Sequence, residues 1–133
     1  MYTHDIFQLE DSKFQQIAFA DILARKASPT SPLRYTHTNT LEGLTQHFQR
    51  GESARAYLVD GKFPLKDGKD ASFLGLDAIK MIKLYSPQSE CILYTGNLAT
   101  PLLDSSALVW RKLSVSTEDA VERILKMLSS PAS

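Results

Sequence analysis

Short apolar runs alternate along the chain with longer stretches whose apolar residues recur at helical spacing. Short runs rich in β-branched and aromatic residues are typical of buried strands, whereas apolar spacings of three and four residues are typical of amphipathic helices. The pattern predicts five strands, at residues 6–9, 33–38, 54–59, 91–94 and 108–111. A candidate helix separates each strand from the next, so the chain is a strand–helix alternation.

Capping residues mark the ends of the first two helices. The first is predicted to begin at Ser12, where Ser12-Lys13-Phe14-Gln15 has the pattern of a capping box, and to end near Lys26. Its predicted apolar face contains Phe14, Ile17, Ala18 and Ile22. The second is predicted to follow Thr40 and to stop at Gly51, where glycine can adopt the left-handed conformation that ends many helices. Its predicted apolar face contains Leu41, Leu44 and Phe48.

The sequence signals for the remaining helices differ in strength. The third is predicted at residues 76–85, because Pro87 ends it. The fourth, at residues 98–105, is interrupted by a proline and is expected to be a short or irregular turn. The last is capped by Ser116 or Thr117. Its apolar stripe contains Val121, Ile124, Leu125 and Leu128.

Strands that alternate with helices over short links need crossover connections, which make the strands parallel. The sequence therefore predicts one α/β domain over residues 1–133, an open doubly wound parallel sheet with helices on both faces. One connection, residues 64–75, is too long for this plan and is rich in Lys, Asp and Gly. Residues 129–133 are Ser, Pro and Ala and are predicted to form a frayed end.

Composition and charge restrict the function. The chain has 133 residues with 15 basic and 15 acidic side chains, and its pI is about 6.8. A neutral chain with evenly spread basic residues is not expected to bind nucleic acid or an anionic membrane. No apolar stretch reaches the ~18 residues that a membrane span needs, and the amino terminus lacks the layout of a signal peptide. Together with the single cysteine, Cys91, these features predict a cytoplasmic protein.

In an open parallel sheet, ligands bind at the edge where the strands end, so the residues after each strand are the candidates for chemistry. Glu10 and Asp11 follow the first strand, Asp60 the third, Thr95 the fourth and Lys112 the fifth. Three carboxylates at one edge repel one another unless a cation lies among them. Mg²⁺ prefers oxygen ligands, and together with the lysine it would balance the three negative charges. The sequence therefore predicts a magnesium site that can accept an anion.

The same residues resemble the motifs of a receiver domain of the two-component response-regulator family. That family has an acidic pair after the first strand, a phosphoacceptor Asp after the third with a Pro four residues on, a Thr or Ser after the fourth and a Lys after the fifth. The matching segments here are Leu9-Glu10-Asp11, Val59-Asp60-Gly61-Lys62-Phe63-Pro64, Leu93-Tyr94-Thr95-Gly96 and Trp110-Arg111-Lys112. The resemblance covers nearly the whole chain and implies a five-stranded parallel sheet of order 2-1-3-4-5.

The resemblance implies a phosphorelay switch in signal transduction, not an enzyme that turns over a substrate. Asp60 would take a phosphoryl group from the phosphohistidine of a histidine kinase or a histidine phosphotransfer protein, in the presence of Mg²⁺. The hydroxyl of Thr95 would then turn toward the phosphoryl group, which would change the surface that docks a downstream protein. The implied catalytic residues are Asp60, Thr95 and Lys112, and the implied metal ligands are Glu10, Asp11, Asp60 and the backbone carbonyl of Lys62.

Four features depart from the family pattern. Leu113 stands where the family usually has a Pro in a cis peptide, and we expect a trans peptide here because a non-proline cis bond costs about 2.5–4 kcal/mol. Val109 occupies the position of the family's switch aromatic. Residues 68–74 are an insertion beside the site, and Lys62 lies where its ammonium could reach the phosphoryl group or the water that attacks it.

Two alternatives follow from the same residues. The chain could be a degenerate receiver that acts as a phosphorylation-independent docking module, which Leu113 and Val109 favour. It could also be a flavin carrier or a phosphatase on a similar sheet. Against these, the acidic Glu10-Asp11 would repel a flavin phosphate, and phosphatases with an Asp nucleophile usually carry a second Asp where Lys62 stands.

The three histidines have no metal-ligand spacing along the chain and are predicted to be surface or local hydrogen-bonding residues. They are His4, His37 and His47.

Overall fold

The computed structural model of the chain describes residues 2–27, 30, 32–96 and 108–129. In chain order the elements of these residues are β1 His4–Leu9, α1 Lys13–Lys26, β2 Tyr35–Thr38, α2 Leu41–Gln49, β3 Ala54–Val59, β4 Phe63–Pro64, β5 Ala71–Ser72, α3 Gly75–Tyr85, β6 Glu90–Thr95, β7 Leu108–Arg111 and α4 Thr117–Ser129. The helix predicted at residues 98–105 lies outside the described residues, as do residues 130–133 of the predicted frayed end.

Five strands form one parallel sheet in the order β2-β1-β3-β6-β7. Since β6 and β7 are the fourth and fifth strands of this sheet, the order is the predicted 2-1-3-4-5. The strands predicted at residues 54–59 and 108–111 coincide with β3 and β7, and the other three differ by one or two residues at an end. Side chains of β1 and β3 are buried at almost every position, as is typical of parallel strands covered on both faces.

The two faces of the sheet carry separate hydrophobic clusters. Residues of α2 and α3 belong to the first, which includes Leu44, Tyr57, Ala78, Ile82 and Leu93. Residues of α1 and α4 belong to the second, which includes Ile6, Phe19, Leu58, Val121 and Ile124. The predicted doubly wound arrangement, with helices on both faces, is therefore confirmed. No helix in the described part of the chain is long and apolar enough to cross a membrane.

The face by which α1 packs agrees only in part with the predicted one, since Ile22 packs against the core as predicted. Phe14 and Ile17 are 78% and 55% exposed, whereas Phe19 and Leu23 are buried in the cluster shared with α4. Apolar residues occur on more than one side of α1, so their spacing alone did not identify the side that contacts the core. The predicted cap is present, since Oγ of Ser12 accepts a hydrogen bond from a first-turn backbone amide at 3.3 Å.

The other described helices follow the prediction closely. Thr40 caps α2 by accepting a hydrogen bond from a first-turn amide at 3.0 Å, and Gly51 has a φ of +74° just after the helix ends. Oγ of Ser116 accepts a hydrogen bond from the Asp119 amide at 3.1 Å, so Ser116 is the cap of α4. The apolar stripes predicted for α2 and α4 face the two clusters.

The long connection between β3 and α3 contains a small hairpin that the sequence did not predict. β4 and β5 pair antiparallel, Phe63 with Ser72 and Pro64 with Ala71. Strands of two residues are too short to produce a recognisable apolar alternation, so the pattern showed only a polar loop. Gly68 lies between the two strands with a φ of +84°, and the fully buried Phe63 anchors the hairpin in the core.

Candidate functional site

Four neighbouring strands end at the same edge of the sheet. β1 and β3 are paired up to Leu9 and Val59, β3 and β6 up to Val59 and Leu93, and β6 and β7 up to Thr95 and Arg111. The ladder hydrogen bonds of the sheet therefore hold the residues that follow these pairs side by side. This edge carries Glu10, Asp60, Thr95 and Lys112.

The ammonium of Lys112 lies between two buried carboxylates. Its Nζ donates to Oε1 of Glu10 at 2.9 Å and lies 3.5 Å from Oδ2 of Asp60. Glu10 is 3% exposed and the side chain of Asp60 is 14% exposed, so water screens these charges weakly. Backbone amides hold the other two oxygens, because the Ser12 amide donates to Glu10 at 3.0 Å and the Gly61 amide donates to Asp60 at 2.7 Å.

The surroundings of Asp60 disfavour its ionised form. Burial, followed by the hydrogen bond and the negative charge of Glu10, raises the pKa of Asp60 from 3.8 to about 7. Burial alone would lower the pKa of Lys112, but the carboxylates of Asp60 and Glu10 raise it above its ordinary value. The lysine is therefore charged at neutral pH. One positive charge faces two acidic groups, so the site carries excess negative charge whenever Asp60 is ionised.

This excess charge and the oxygen donors fit a hard divalent cation. Mg²⁺ prefers carboxylate, carbonyl and water oxygens, which Glu10, Asp60 and the backbone carbonyl of Lys62 would supply. Asp11 is exposed on the rim. Within the described ranges, its oxygens do not join those of Glu10 and Asp60 in one group within 4.8 Å. The structure thus brings together two of the three candidate carboxylates, Glu10 and Asp60, and leaves the third, Asp11, exposed.

Two glycines, which sequence analysis did not assign to the site, allow the loop after Asp60 to pack closely. A Cβ on Gly61 would lie 2.5 Å from Oγ1 of Thr95, and one on Gly75 would lie 2.9 Å from Cα of Gly61. The Gly75 amide also donates to the Gly61 carbonyl at 3.2 Å. Thr95 is 2% exposed, so its hydroxyl is held against this loop. In the sequence, the one indication of this close packing was that a glycine directly follows Asp60.

Tyr94 is a further site residue that the sequence did not indicate. Nζ of Lys112 lies 5.5 Å from the centroid of the Tyr94 ring, where the ring face attracts a cation. The hydroxyl of Tyr94 donates to the carbonyl of Val115 at 2.6 Å. Tyr94 therefore links the lysine to the segment that leads into α4. Its partner on β7 is Trp110, which is buried with the guanidinium of Arg123 5.3 Å from its ring.

The residues that depart from the family pattern lie around the site. Nζ of Lys62 is 5.4 Å from the ring centroid of Phe73, which follows β5, so the inserted segment holds this ammonium. Leu113 is 85% exposed, and its peptide bond with Lys112 is trans because the described residues contain no cis peptide. Val109 is partly buried and packs against the cluster that α2 and α3 cover.

Comparisons with known proteins find similar structures. No family model and no curated protein matches the sequence. The N-terminal domain of a response regulator/sensory box/GGDEF 3-domain protein from Carboxydothermus hydrogenoformans is 22% identical, with a TM-score of 0.68 over 93% of this chain and 92% of that chain. A CheY-like response regulator receiver domain protein from Methanospirillum hungatei JF-1 is 17% identical, with a TM-score of 0.72 over 94% of this chain and 93% of that chain. A LuxR family DNA-binding response regulator from Silicibacter pomeroyi is 14% identical, with a TM-score of 0.69 over 94% of this chain and 91% of that chain.

The strand order and the edge site define an open doubly wound α/β domain with an acidic centre at the carboxyl ends of its strands. The three solved structures named above are response regulators or domains of them, and the chain has the fold of a response-regulator receiver domain. The fold that the sequence motifs implied is thereby confirmed.

Proposed function

We propose that the chain is a phosphoacceptor receiver domain of two-component or phosphorelay signalling, in which Asp60 is phosphorylated. The observation that carries this proposal is the position of Asp60, whose carboxylate lies at the end of the central strand β3, beside the buried Glu10 and the ammonium of Lys112. A buried acid with a strongly raised pKa and a specific charged partner is a common feature of functional sites. The receiver fold supports the same function.

The proposed transfer forms a bond between an oxygen of Asp60 and phosphorus, and breaks the bond between phosphorus and an imidazole nitrogen of the donor. The electron pair of the broken bond goes to the donor, which leaves as neutral imidazole carrying one proton. Asp60 must be ionised to attack, so its negative charge has to be compensated. Bound Mg²⁺ would supply this compensation and draw negative charge from the phosphoryl oxygens. Lys112 is charged and close to Asp60, so it would pair with a phosphoryl oxygen.

Thr95 and Tyr94 would carry the change away from the phosphorylated residue. The hydroxyl of Thr95 lies next to Gly61, which directly follows Asp60. A phosphoryl group would attract this hydroxyl donor, and the movement would alter packing at the end of β6. Tyr94 ties the same strand to Val115, so the change would reach the start of α4. The expected output is a changed docking surface for a downstream protein.

Exposed apolar side chains beside the site support a protein donor. Phe14 in the first turn of α1 is 78% exposed, and Leu113, directly after Lys112, is 85% exposed. Both follow strand ends at the edge that carries Asp60, where the imidazole of a phosphohistidine would enter. A histidine kinase or histidine phosphotransfer protein that covered them would also exclude water from the transfer. The phosphoryl group stays on the chain itself, so we propose no turnover enzyme.

A docking module that works without phosphorylation is the second candidate. Leu113 and Val109 favour it, because they replace the proline and the aromatic of the family pattern. The group formed by Glu10, Asp60 and Lys112 favours the phosphoacceptor instead, since buried like charges lower stability and are retained chiefly where they have a use.

Phosphorylation can be measured as the intact mass after incubation with acetyl phosphate and Mg²⁺. The parent should gain one phosphoryl group, and Asp60→Asn should gain none because an amide is a poor nucleophile. Asp67→Asn is the matched control, since it removes an exposed acid between β4 and β5 and should behave as the parent. If the parent gained no mass from acetyl phosphate or from a phosphohistidine protein, the docking module would be the better interpretation.

A further inference from the structure

Three metal-ligating side chains meet at the edge of the sheet opposite Asp60. His4 begins β1, His47 lies in the last turn of α2, and Glu52 lies in the turn before β3. Each offers one ligand atom, and these atoms lie within 4.8 Å of one another, the one such group in the part of the chain that the structure describes. The predicted local hydrogen bonds are present, from His4 to Thr3 and from His47 to Glu52. The meeting of the two histidines was not predicted, because they belong to different elements and come together only in the fold.

Each of these histidines is oriented by a hydroxyl group. Oγ1 of Thr3 lies 3.0 Å from Nδ1 of His4, and the hydroxyl of Tyr57 lies 2.7 Å from Nε2 of His47. Metal-binding imidazoles commonly hold their second nitrogen against an oxygen in this way, which fixes the ring for the metal. The remaining nitrogen of His47, Nδ1, faces Oε1 of Glu52 at 3.2 Å. A cation placed among these groups would therefore find rings that are already oriented.

A hydrogen-bond network without a metal explains part of this cluster. Nδ1 of His47 can donate to Glu52, whose other oxygen accepts a hydrogen bond from Nε of Arg50 at 2.9 Å. That network gives no role to His4, whose ring centroid lies 5.9 Å from that of His47. Nη2 of Arg50 also donates to Oε1 of Glu52, at 3.3 Å. The side chain of Arg50 is more than half exposed, so it can turn away from Oε1 and keep its shorter bond to Oε2 when a cation binds Oε1. A metal ion shared by the three side chains would explain why the imidazoles of His4 and His47 both lie beside the carboxylate of Glu52.

We propose that His4, His47 and Glu52 bind a Zn²⁺ ion. Two imidazole nitrogens and one carboxylate oxygen are a known ligand set for zinc, with water at the fourth position, whereas Mg²⁺ prefers oxygen ligands alone. On binding, the ring proton of His47 lies on Nε2, where the oxygen of Tyr57 accepts it. His4 and Glu52 are partly exposed, so the ion can reach the buried His47 from solvent. The ion fastens the start of β1 to the turn between α2 and β3.

Zinc binding can be measured by competition with a chromophoric chelator in excess Mg²⁺, which occupies carboxylate sites. The parent should bind one Zn²⁺ per chain, and His4→Gln and Glu52→Gln should each weaken binding at least about tenfold, the smaller loss seen even for outer-shell changes. His37→Gln is the matched control, because His37 lies on β2 against Gln16 and should not affect binding. Equal affinity in the parent and His4→Gln would overturn the proposal, and so would loss of zinc binding in excess Mg²⁺.

Thermal denaturation gives a second readout that does not depend on the chelator. Zn²⁺ should raise the Tm of the parent and of His37→Gln, because a ligand that binds only the folded chain stabilises it. It should raise the Tm of His4→Gln clearly less at the same Zn²⁺ concentration, because the variant binds the ion more weakly. This variant should fold because His4 is only partly buried at the start of a strand. A zinc-dependent rise of the same size in His4→Gln would show that the ion binds elsewhere and would overturn the proposal.

Discussion

The carboxyl group of Asp60 binds a proton more tightly in the folded protein than in the unfolded chain. Burial is the main reason that its pKa is raised from 3.8 to about 7, and Glu10 adds to the effect. As the pH rises from about 4 to about 7, the unfolded chain loses this proton before the folded protein does. Ionisation therefore favours unfolding, and the contribution of Asp60 to stability falls over that interval.

Asp60→Asn should remove this fall in stability. In a buffer with chelator at pH ~8, we expect the free energy of unfolding of the variant to exceed that of the parent by on the order of 2–4 kcal/mol, since each pKa unit corresponds to about 1.4 kcal/mol. The attraction of Lys112 is already part of the raised pKa of Asp60. Near pH ~4 the two proteins should be nearly equal, because Asp60 is then protonated in the folded protein. Urea unfolding at both pH values measures the difference, and a parent as stable as the variant at the higher pH would contradict it.

Position 61 requires glycine, because the side chain of Thr95 occupies the space that a larger side chain would need. A Cβ at this position would lie 2.5 Å from Oγ1 of Thr95, so Gly61→Ala should lower the free energy of unfolding by about 1–3 kcal/mol, the usual range for overpacking. Phosphorylation by acetyl phosphate should also slow, because the loop that holds Asp60 must shift. Gly96→Ala is the matched control, since the nearest atom to a Cβ there is 4.0 Å away. Similar unfolding curves for the two variants would argue against the described packing.

At the scale of helices and strands, the sequence correctly predicted the features that depend on residues close together in the chain. Buried strands with continuous apolar residues, and helix ends marked by Thr40 and Ser116, were predicted because their signals lie within a few residues. The packing face of α1 was predicted only in part, since Ile22 packs against the core but Phe14 and Ile17 do not, and the position of α4 decides which side is covered. The β4–β5 hairpin was missed because it is held by the buried Phe63 and by two residue pairs, and neither produces a repeating pattern.

The hairpin and Lys62 should together lengthen the life of the phosphorylated state. The ammonium of Lys62, two residues after Asp60, lies over the ring of Phe73. We expect this pair to restrict the approach of water to an aspartyl phosphate. We expect Lys62→Asn to speed loss of the phosphoryl group about fivefold, the rate equivalent of about 1 kcal/mol for one exposed charge interaction. A variant that lacks residues 68–74 should also lose the group faster.

The matched control for this experiment is Lys69→Asn, which removes an exposed lysine between β4 and β5 without affecting Lys62. Loss of mass from the purified phosphoprotein gives the rate for each variant. Equal or slower loss in Lys62→Asn than in Lys69→Asn would show that the lysine does not protect the phosphoryl group.

At the scale of the whole molecule, the sequence could predict site residues only where strand order placed them. Glu10, Asp60 and Lys112 follow strand ends, and a parallel sheet brings such residues to one edge. The contact of Tyr94 with Lys112, and the meeting of His4 with His47, depend on side-chain directions and on helix packing across the molecule. The spacing of residues along the chain does not determine which side chains meet in this way, so these contacts could be found only from the structure.

Binding of Mg²⁺ should stabilise the entire domain, because a ligand that binds only the folded chain shifts the folding equilibrium. At a Mg²⁺ concentration of 100 times Kd, the expected gain is about 2.7 kcal/mol. The double variant Glu10→Gln with Asp11→Asn should lose most of this gain, whereas Glu42→Gln, which removes an exposed acid on α2, should retain it. Thermal denaturation with and without Mg²⁺ measures the effect. A double variant stabilised as much as the parent would exclude these carboxylates as the metal ligands.

The hydrogen bond from the Gly75 amide to the Gly61 carbonyl closes the base of the inserted segment. The two ends of residues 62–74 therefore lie close together, as in an Ω-loop, while Phe63 stays in the core. Lengthening such a loop changes its closure entropy only slowly, by about 0.6 kcal/mol for each doubling. The exposed turn at Gly68 is thus a place where a peptide tag or a fluorescent label could be inserted while the backbone around Asp60 stays as it is.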